Sequence, residues 1–433
     1  MRTLAILALL ATLSISFSVH AGAATMGSAN DLIADSYIVT FKKSTASAPS
    51  LILPQKKAVN GVTPPPLFGK HGTGQSQIAL EKTLGINGHV ISIFETINAA
   101  HFMMGATEAD KLRHDPRVLY VEQDRILTAQ TTETNPGWAL DRLDQSLPPL
   151  NNTYTYNSSG VGQTIYILDS GLNPNFAAVT AEFGGRASII FDVNGGAGDD
   201  CFGHGTMVAS AAGGNANGVA KGVSLIIAKI TNGCTGNSSI STSAGAFNWL
   251  AANAPRGTIV NWSYGLSDGT CSTSIISQAL EDSIVAAYNA GIIVVVAAGN
   301  DGCNTANYSP VRIPQAFVVG ATDNSLLWSG KDAKAGYSRT GSNISVFAPG
   351  TDVSLLDQNG SQTIKSGTSF AAPYIAGMFA TGCQAAAPYC NTTTDTGIVF
   401  QALMNFATLG SVTNADGTPL TGATSRFIWD QGW

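Results

Sequence analysis

The sequence predicts an α/β fold: a doubly wound parallel sheet preceded by a small α+β module. Two patterns carry that prediction. Beyond about residue 138, near-continuous Ile/Val runs (TIYILDS, SLIIAKI, TIVNWSYG, IIVVVAAGN, AFVVGAT) alternate with helical stretches of small residues, SAGAFNWLAANA and SIISQALEDSIVAAYNAG. Unbroken apolar strands between helices indicate a parallel sheet covered on both faces. Before that point the strand material alternates polar with apolar and the helices are short, as in a small α+β unit. A chain of 433 residues has room for both.

Taken in order, residues 1–23 read as an export signal. Arg2 supplies the positive start, Leu4 to Val19 an apolar stretch, and Ala21-Gly22-Ala23 a cleavage site. The run is short and broken by Thr12, Ser14, Ser16 and Ser18, which argues against a bilayer anchor. No later segment is long and apolar enough to span a membrane. Residues 24–130 follow as a unit. DSYIVTFKKS is a strand, QIALEKTL a helix, HVISIFETINAAHFMMGA strand material, and TEADKLRHDPRVLYVEQDRIL a helix and then a strand. VTPPPLFGK inserts a Pro-rich surface loop, and TAQTTETNPG reads as an accessible linker. Residues 131–433 form the sheet domain.

Charge supports the division. Through residue 130 there are 11 basic and 9 acidic residues, and beyond it 11 basic and 19 acidic. A basic leader on an acidic body fits a removable partner segment. Only 12% of residues are charged, and 47 are Gly, which suits a compact exported protein and not a nucleic-acid binder or a disordered chain. All six cysteines (Cys201, Cys234, Cys271, Cys303, Cys383, Cys390) lie in the second part. In an exported chain they read as up to three disulfides, with 15 connectivities open.

In open parallel sheets function gathers at the carboxyl ends of the strands, where Asp169 and Asn300 stand. An apolar run ending in Asp-Ser-Gly admits two proteolytic chemistries. In one, Asp169 shares a proton with a second carboxylate, and Asp395 in TTTDTGIVF is the candidate partner. That mechanism belongs to an all-β protein, and Asp395 reads as a polar turn. In the other, Asp169 orients a histidine that activates a serine. His204, flanked by Gly203 and Gly205, begins a small-residue helix, and Ser369 opens another behind Gly367. His204 would take the Ser369 proton during attack on a carbonyl while Asp169 holds the imidazole tautomer. Asn300 could then donate its amide to the oxyanion beside the Ser369 N–H. The serine reading uses every one of these motifs; a Gly-x-Ser-x-Gly esterase elbow is absent, since Ser369 sits in Gly-Thr-Ser-Phe-Ala.

With the motifs ILDSG, GHGT, NWSYG, AAGN, NYSP, FAPG and SGTSFAAP in this order, the chain resembles the subtilisin-like serine proteases, in particular the proteinase K and aqualysin group. The resemblance covers nearly the whole chain, with DSYIVTFK and VLYVEQDRI similar to the group's inhibitory propeptide and GWALDRLDQ to its mature N-terminal segment. It implies a secreted serine endopeptidase made as an autoprocessed zymogen, with triad Asp169, His204 and Ser369 and oxyanion donor Asn300. The specificity pocket would lie between Ser263-Tyr264-Gly265 and Ala297-Ala298-Gly299, favouring bulky apolar or aromatic side chains. Polypeptides are the implied substrates and the chain's own propeptide its intramolecular inhibitor. No organic cofactor, nucleic acid or membrane partner is implied after signal removal, and a monomer is expected.

The chain departs from the family at Ser170, Met207 and Phe370, all beside triad members, and none removes a catalytic group. Ser345 stands where the group's tight calcium site has a carboxylate, so a weak or absent site is expected there. A second family calcium site is implied by Asp141, Asp144 and Gln145, with Asn151 as a further ligand. Cys201–Cys234 matches a disulfide of the group. Cys303 matches another whose usual partner position holds Asn343, so Cys271–Cys303 and a local Cys383–Cys390 are expected instead. Asn157, Asn237 and Asn391 begin glycosylation sequons.

Overall fold

The computed structural model describes residues 32–42, 75–94, 97–125, 131–386, 390 and 395–429. The expected export signal, the Pro-rich insertion, the first part of the linker and Asn391 lie outside the described residues.

The first unit runs β1 (Leu32–Phe41), α1 (Gln75–Leu84), β2 (Gly88–Phe94), β3 (Ala99–Met104), α2 (Ala106–Arg113), β4 (Val118–Arg125). Its strands form an antiparallel sheet in the order β2-β3-β1-β4. That βαββαβ arrangement is the ferredoxin-like one. Val39 and Phe41, Phe102 and Met104, Leu80 and Leu112 share one core, while Met103 between its buried neighbours on β3 is exposed. The alternation in the sequence is thus the sheet's inner and outer face.

The second unit begins with a departure from expectation. Thr131–Thr134, taken as linker, is a strand (β5), and after α3 (Gly137–Leu143) it pairs with β6 (Thr153–Tyr156). β-Branched threonines suit an extended edge, and Glu133 on β5 meets Lys221 at 2.8 Å. The chain continues through β7 (Thr164–Asp169), α4 (Ala177–Phe183), β8 (Ala187–Asp192), α5 (His204–Gly213), β9 (Ser224–Lys229), α6 (Ile240–Asn253), β10 (Ile259–Trp262), α7 (Gln278–Asn289), β11 (Ile293–Ala297) and β12 (Phe317–Asp323). It closes with β13 (Asp332–Lys334), β14 (Val346–Pro349), β15 (Val353–Leu356), β16 (Gln362–Lys365), α8 (Thr368–Ala385), α9 (Thr396–Asn405) and β17 (Val412–Thr413).

Nine of these strands form one sheet in the order β17-β13-β12-β11-β10-β7-β9-β8, with β14 also on β12. From β8 across to β12 every neighbouring pair is parallel. All of β10 and β11 is buried; alternate residues face opposite sides, so both faces are covered. α8 packs on β10, β11, β12 and β14 and against α5, while α6 packs against α7. From β7 the chain goes to β8 and β9 on one side, then returns to place β10 on the other. The carboxyl ends of β7 and β10 therefore flank a topological switch point, where crevices form in such sheets.

Candidate active site

Each functional side chain sits where a regular element begins or ends. Asp169 is the last residue of β7 and is fully buried. His204 is the first residue of α5, and its Nδ1 donates to Asp169 Oδ1 at 2.8 Å. Burial disfavours the imidazolium, but the Asp169 charge, the hydrogen bond to it and the Asp200 charge outweigh that, so the His204 pKa is raised above 6.5.

Asp200 was missed by the sequence reading. It is wholly buried, and it accepts from Gly203 N (2.7 Å), Thr206 N (2.8 Å), Thr206 Oγ1 (2.7 Å) and Ser170 Oγ (2.8 Å). It thereby satisfies N–H groups in the first turn of α5 and ties that turn to the residue after Asp169. Ser170 completes the link by accepting from Gly205 N at 2.8 Å. The available signal was an acidic residue in the loop just before a helix start.

Ser369 is the second residue of α8, and its hydroxyl donates to Ser263 O at 3.3 Å. Pro373, four residues on, has no N–H for the Ser369 carbonyl. Ser263 Oγ fills the gap, donating to Ser369 O at 2.9 Å and accepting from Asn261 Nδ2 at 2.9 Å. The end of β10 is thus stitched to the turn that carries Ser369.

Asn300 follows β11. Its Oδ1 accepts from Thr368 N and Thr368 Oγ1, both at 2.8 Å, and Thr368 Oγ1 in turn accepts from Gly299 N at 3.1 Å. With the oxygen so held, the Nδ2 end is left to donate toward the Gly367 side. Asp395, the rival carboxylate, caps α9 and accepts from Gly397 N at 2.8 Å.

The expected pocket segments follow β10 (Ser263-Tyr264-Gly265) and end β11 (Ala297-Ala298-Gly299), and adjacent strands place them side by side. A buried pair braces what lies behind them. Arg339 Nε donates to Asp301 Oδ1 at 2.7 Å, Arg339 N to Gly299 O at 3.1 Å, and its guanidinium reaches Leu266 O at 2.8 Å. Burial opposes ionisation of Asp301, but the Arg339 and Ser267 hydrogen bonds prevail and hold its pKa at about 2. The disulfides are Cys201–Cys234, Cys271–Cys303 and Cys383–Cys390. The second ties the residues after β10 to those after β11, with Cα atoms 5.3 Å apart.

The loop of Asp141, Asp144 and Gln145 bears on calcium. Asp141 accepts from Gln145 Nε2 (2.9 Å), Asn151 N (3.1 Å) and Asn152 N (2.9 Å). Asp144 Oδ2 accepts from Thr155 N at 2.7 Å, while Asp144 Oδ1 and Gln145 Oε1 are buried without partners. Burial, aided by the Asp141 charge and only partly offset by Thr155 N–H, pushes Asp144 up to about 6. Two orphaned acceptor oxygens beside carboxylate charge fit a hard cation.

The model of the subtilase family (peptidase S8) matches residues 160–423. The chain belongs to the subtilase family. It is 34% identical over 394 residues to the extracellular serine proteinase of Thermus sp. (strain Rt41A), covering 89% of this chain and 88% of that one. It is 33% identical over 396 residues to alkaline serine exoprotease A of Vibrio alginolyticus, of whose length it spans 66%. Proteinase T of Parengyodontium album is 37% identical over 265 residues, 60% of this chain and 84% of that one. Among solved structures, a cold adapted subtilisin-like serine proteinase superposes with TM-score 0.59 at 32% identity, over 68% of this chain and 98% of that one. This subtilase is accordingly a serine endopeptidase with a subtilisin-like α/β fold. No helix among the described residues is long and apolar enough to cross a membrane.

Proposed function

We propose that this subtilase hydrolyses polypeptides through a triad of Asp169, His204 and Ser369, with Asn300 as oxyanion donor. The single observation carrying the reading is the 2.8 Å bond from His204 Nδ1 to the fully buried Asp169. It fixes Nε2 as the proton acceptor and turns it outward. Ser369 swings its hydroxyl from Ser263 O toward that nitrogen and attacks the scissile carbonyl. His204 takes the proton, and the resulting imidazolium is stabilised by Asp169. The new oxyanion accepts from Asn300 Nδ2, a contribution of roughly 3–4 kcal/mol for donors of this kind. His204 then protonates the leaving amine, and water resolves the acyl-enzyme by the same steps in reverse. The walls at Ser263-Tyr264-Gly265 and Ala297-Ala298-Gly299 admit a bulky apolar or aromatic side chain before the cleaved bond.

Residues 1–23 direct export, and residues 24–130 act as a propeptide that assists folding and occupies the cleft until cut. Self-cleavage falls between Leu127 and Pro136, and the pairing of β5 with β6 supports a cut ahead of residue 131 within that range. A fluorescent fluorophosphonate should label Ser369, and Ser369→Ala expressed alone should remain unprocessed. Full maturation of purified Ser369→Ala would refute self-cleavage; label on another residue would refute the triad.

Asp144 and Gln145, steadied by Asp141, would hold a calcium ion whose charge compensates the buried carboxylate and fastens the loop after α3. Removing calcium from the inactive Ser369→Ala protein should lower its melting temperature by several degrees, and Asp144→Asn should abolish that dependence. A melting temperature indifferent to chelator would sink the assignment.

A further inference from the structure

Asp169 uses only one of its oxygens. Oδ1 accepts both the His204 Nδ1–H and, at 2.7 Å, the Ser170 N–H, whereas Oδ2 is buried without a hydrogen-bond partner. A buried, charged acceptor left without a donor is costly, so the missing donor is worth locating. Tyr264, so far only a pocket wall, packs against the imidazole that Asp169 holds. Its ring lies edge-on to the His204 ring, with centroids 6.0 Å apart and planes at 69°, and it packs on Trp262 at 6.3 Å. Phe370 lies against His204 from a second direction at 5.5 Å. The imidazole is thus boxed by two aromatic rings, one of which carries a hydroxyl.

Resting on the triad reading above, we propose that Tyr264 is a positioning residue: in the substrate-bound enzyme its phenol donates a hydrogen bond to Asp169 Oδ2. A second donor on the far oxygen fixes the carboxylate plane, hence the imidazole it holds. It also tempers the carboxylate's charge, so that His204 is less reluctant to give up its proton to the leaving amine. The surroundings keep Tyr264 a donor. Burial first, then the Asp169 and Asp200 charges, hold its phenol protonated far beyond the usual range. The charged groups about the site are Asp169 on β7, Asp200 before α5, and Lys229, which pairs with Asp169 in the β7–β9 register. The Lys229 ammonium donates to Asp199 O at 2.5 Å and Cys201 Sγ at 3.8 Å and not to Oδ2; the phenol is the neutral donor facing the triad.

The test uses the processed wild-type enzyme with Tyr264→Phe and Tyr264→Leu. Fluorophosphonate titration comes first and normalises every rate to competent sites. If the wild type fails to label at Ser369, the triad reading falls and this inference with it. Given labelling, kcat/KM is followed against pH. Without the donor, the Asp169 charge acts on His204 undiminished, so both variants should show the acid limb moved up by about 0.5–1 pH unit. In Tyr264→Phe, kcat should fall severalfold with KM nearly unchanged; Tyr264→Leu should in addition alter side-chain preference. An acid limb unmoved in Tyr264→Phe, or moved only in Tyr264→Leu, would show that the ring alone matters and overturn the assignment.

Discussion

His204 is set by opposing pressures on one ring. Burial alone would favour neutral imidazole, but the Asp169 and Asp200 carboxylates reverse that and raise its pKa above 6.5. As general base the ring must be neutral, so kcat/KM should fall as pH drops through a value above 6.5. A protonated His204 also adds stability that is full below its unfolded pKa and lost as pH rises through the folded one. Under the proposed triad, activity is therefore expected at pH values where this contribution has been given up. Asp169→Asn should move the acid limb to lower pH and reduce kcat by about 10⁴-fold, because the amide no longer holds the reactive tautomer. A pH–rate profile of both proteins reads this, and a limb that stays in place would mean that His204 is not the titrating base. The candidates Asp169, His204, Asn300 and Ser369 could be read from the sequence because each stands in a short motif at a strand end or helix start and the motifs follow one another in family order. Asp200 and Thr368 were not legible as functional residues. Their contribution is geometric, Asp200 accepting three hydrogen bonds from the start of α5 and one from Ser170 Oγ, and Thr368 holding the Asn300 oxygen; an acidic residue ahead of a helix start hints at the first, and nothing in the sequence marks the second.

Among the elements, α8 shows how a rule broken locally can serve a site. Pro373 deprives Ser369 O of its helical donor, and Ser263 Oγ from the end of β10 replaces it at 2.9 Å. Ser263→Ala should leave Ser369 O and Asn261 Nδ2 both unpaired. The expected cost is about 1–3 kcal/mol in stability, together with a lower kcat as the nucleophile's turn loosens. Calorimetry and single-turnover acylation would measure the two effects, and unchanged acylation would show that the stitch does not position Ser369. The central strands were legible because β7, β9, β10, β11 and β12 each hold a short Ile/Val-rich stretch, largely buried. β5 was not, because Thr-Thr-Glu-Thr has the polarity of a loop and gains strand structure only by pairing with β6. α7 starts later than the run SIISQALEDSIVAAYNAG suggests: Ser277 caps it by accepting from Leu280 N, while Ile275 before it bridges to Tyr308, donating to Asn307 O and accepting from Ser309 N. A run that alternates small and apolar residues does not reveal which serine is the cap.

At the scale of the whole molecule, one ion pair joins distant parts of the peptidase chain. Arg142 on α3 and Asp332 on β13 are both wholly buried and meet through two bonds, Nε to Oδ1 at 2.8 Å and an Nη2 bond to Oδ2 at 2.7 Å. The guanidinium also covers the ring of Phe427 at 3.8 Å and donates to Gln145 O. The front of the domain, the outer strands of the sheet and the last described segment are thus held at one point. Gln145 also borders the proposed calcium loop. Removing one member should cost far more than removing both, since the survivor is left as an uncompensated buried charge. In the inactive Ser369→Ala background, which prevents autolysis, Asp332→Ala should lose about 3–5 kcal/mol and on the order of 10 °C in melting temperature. Arg142→Met with Asp332→Leu should recover most of that loss. Because Arg142 also fixes the Gln145 carbonyl, Asp332→Ala should shrink the increment that calcium adds to the melting temperature, and the double variant should not restore it. Equal losses in the single and double variants would mean that the pair is itself a net source of stability. An undiminished calcium increment in Asp332→Ala would separate the ion pair from the loop beside it.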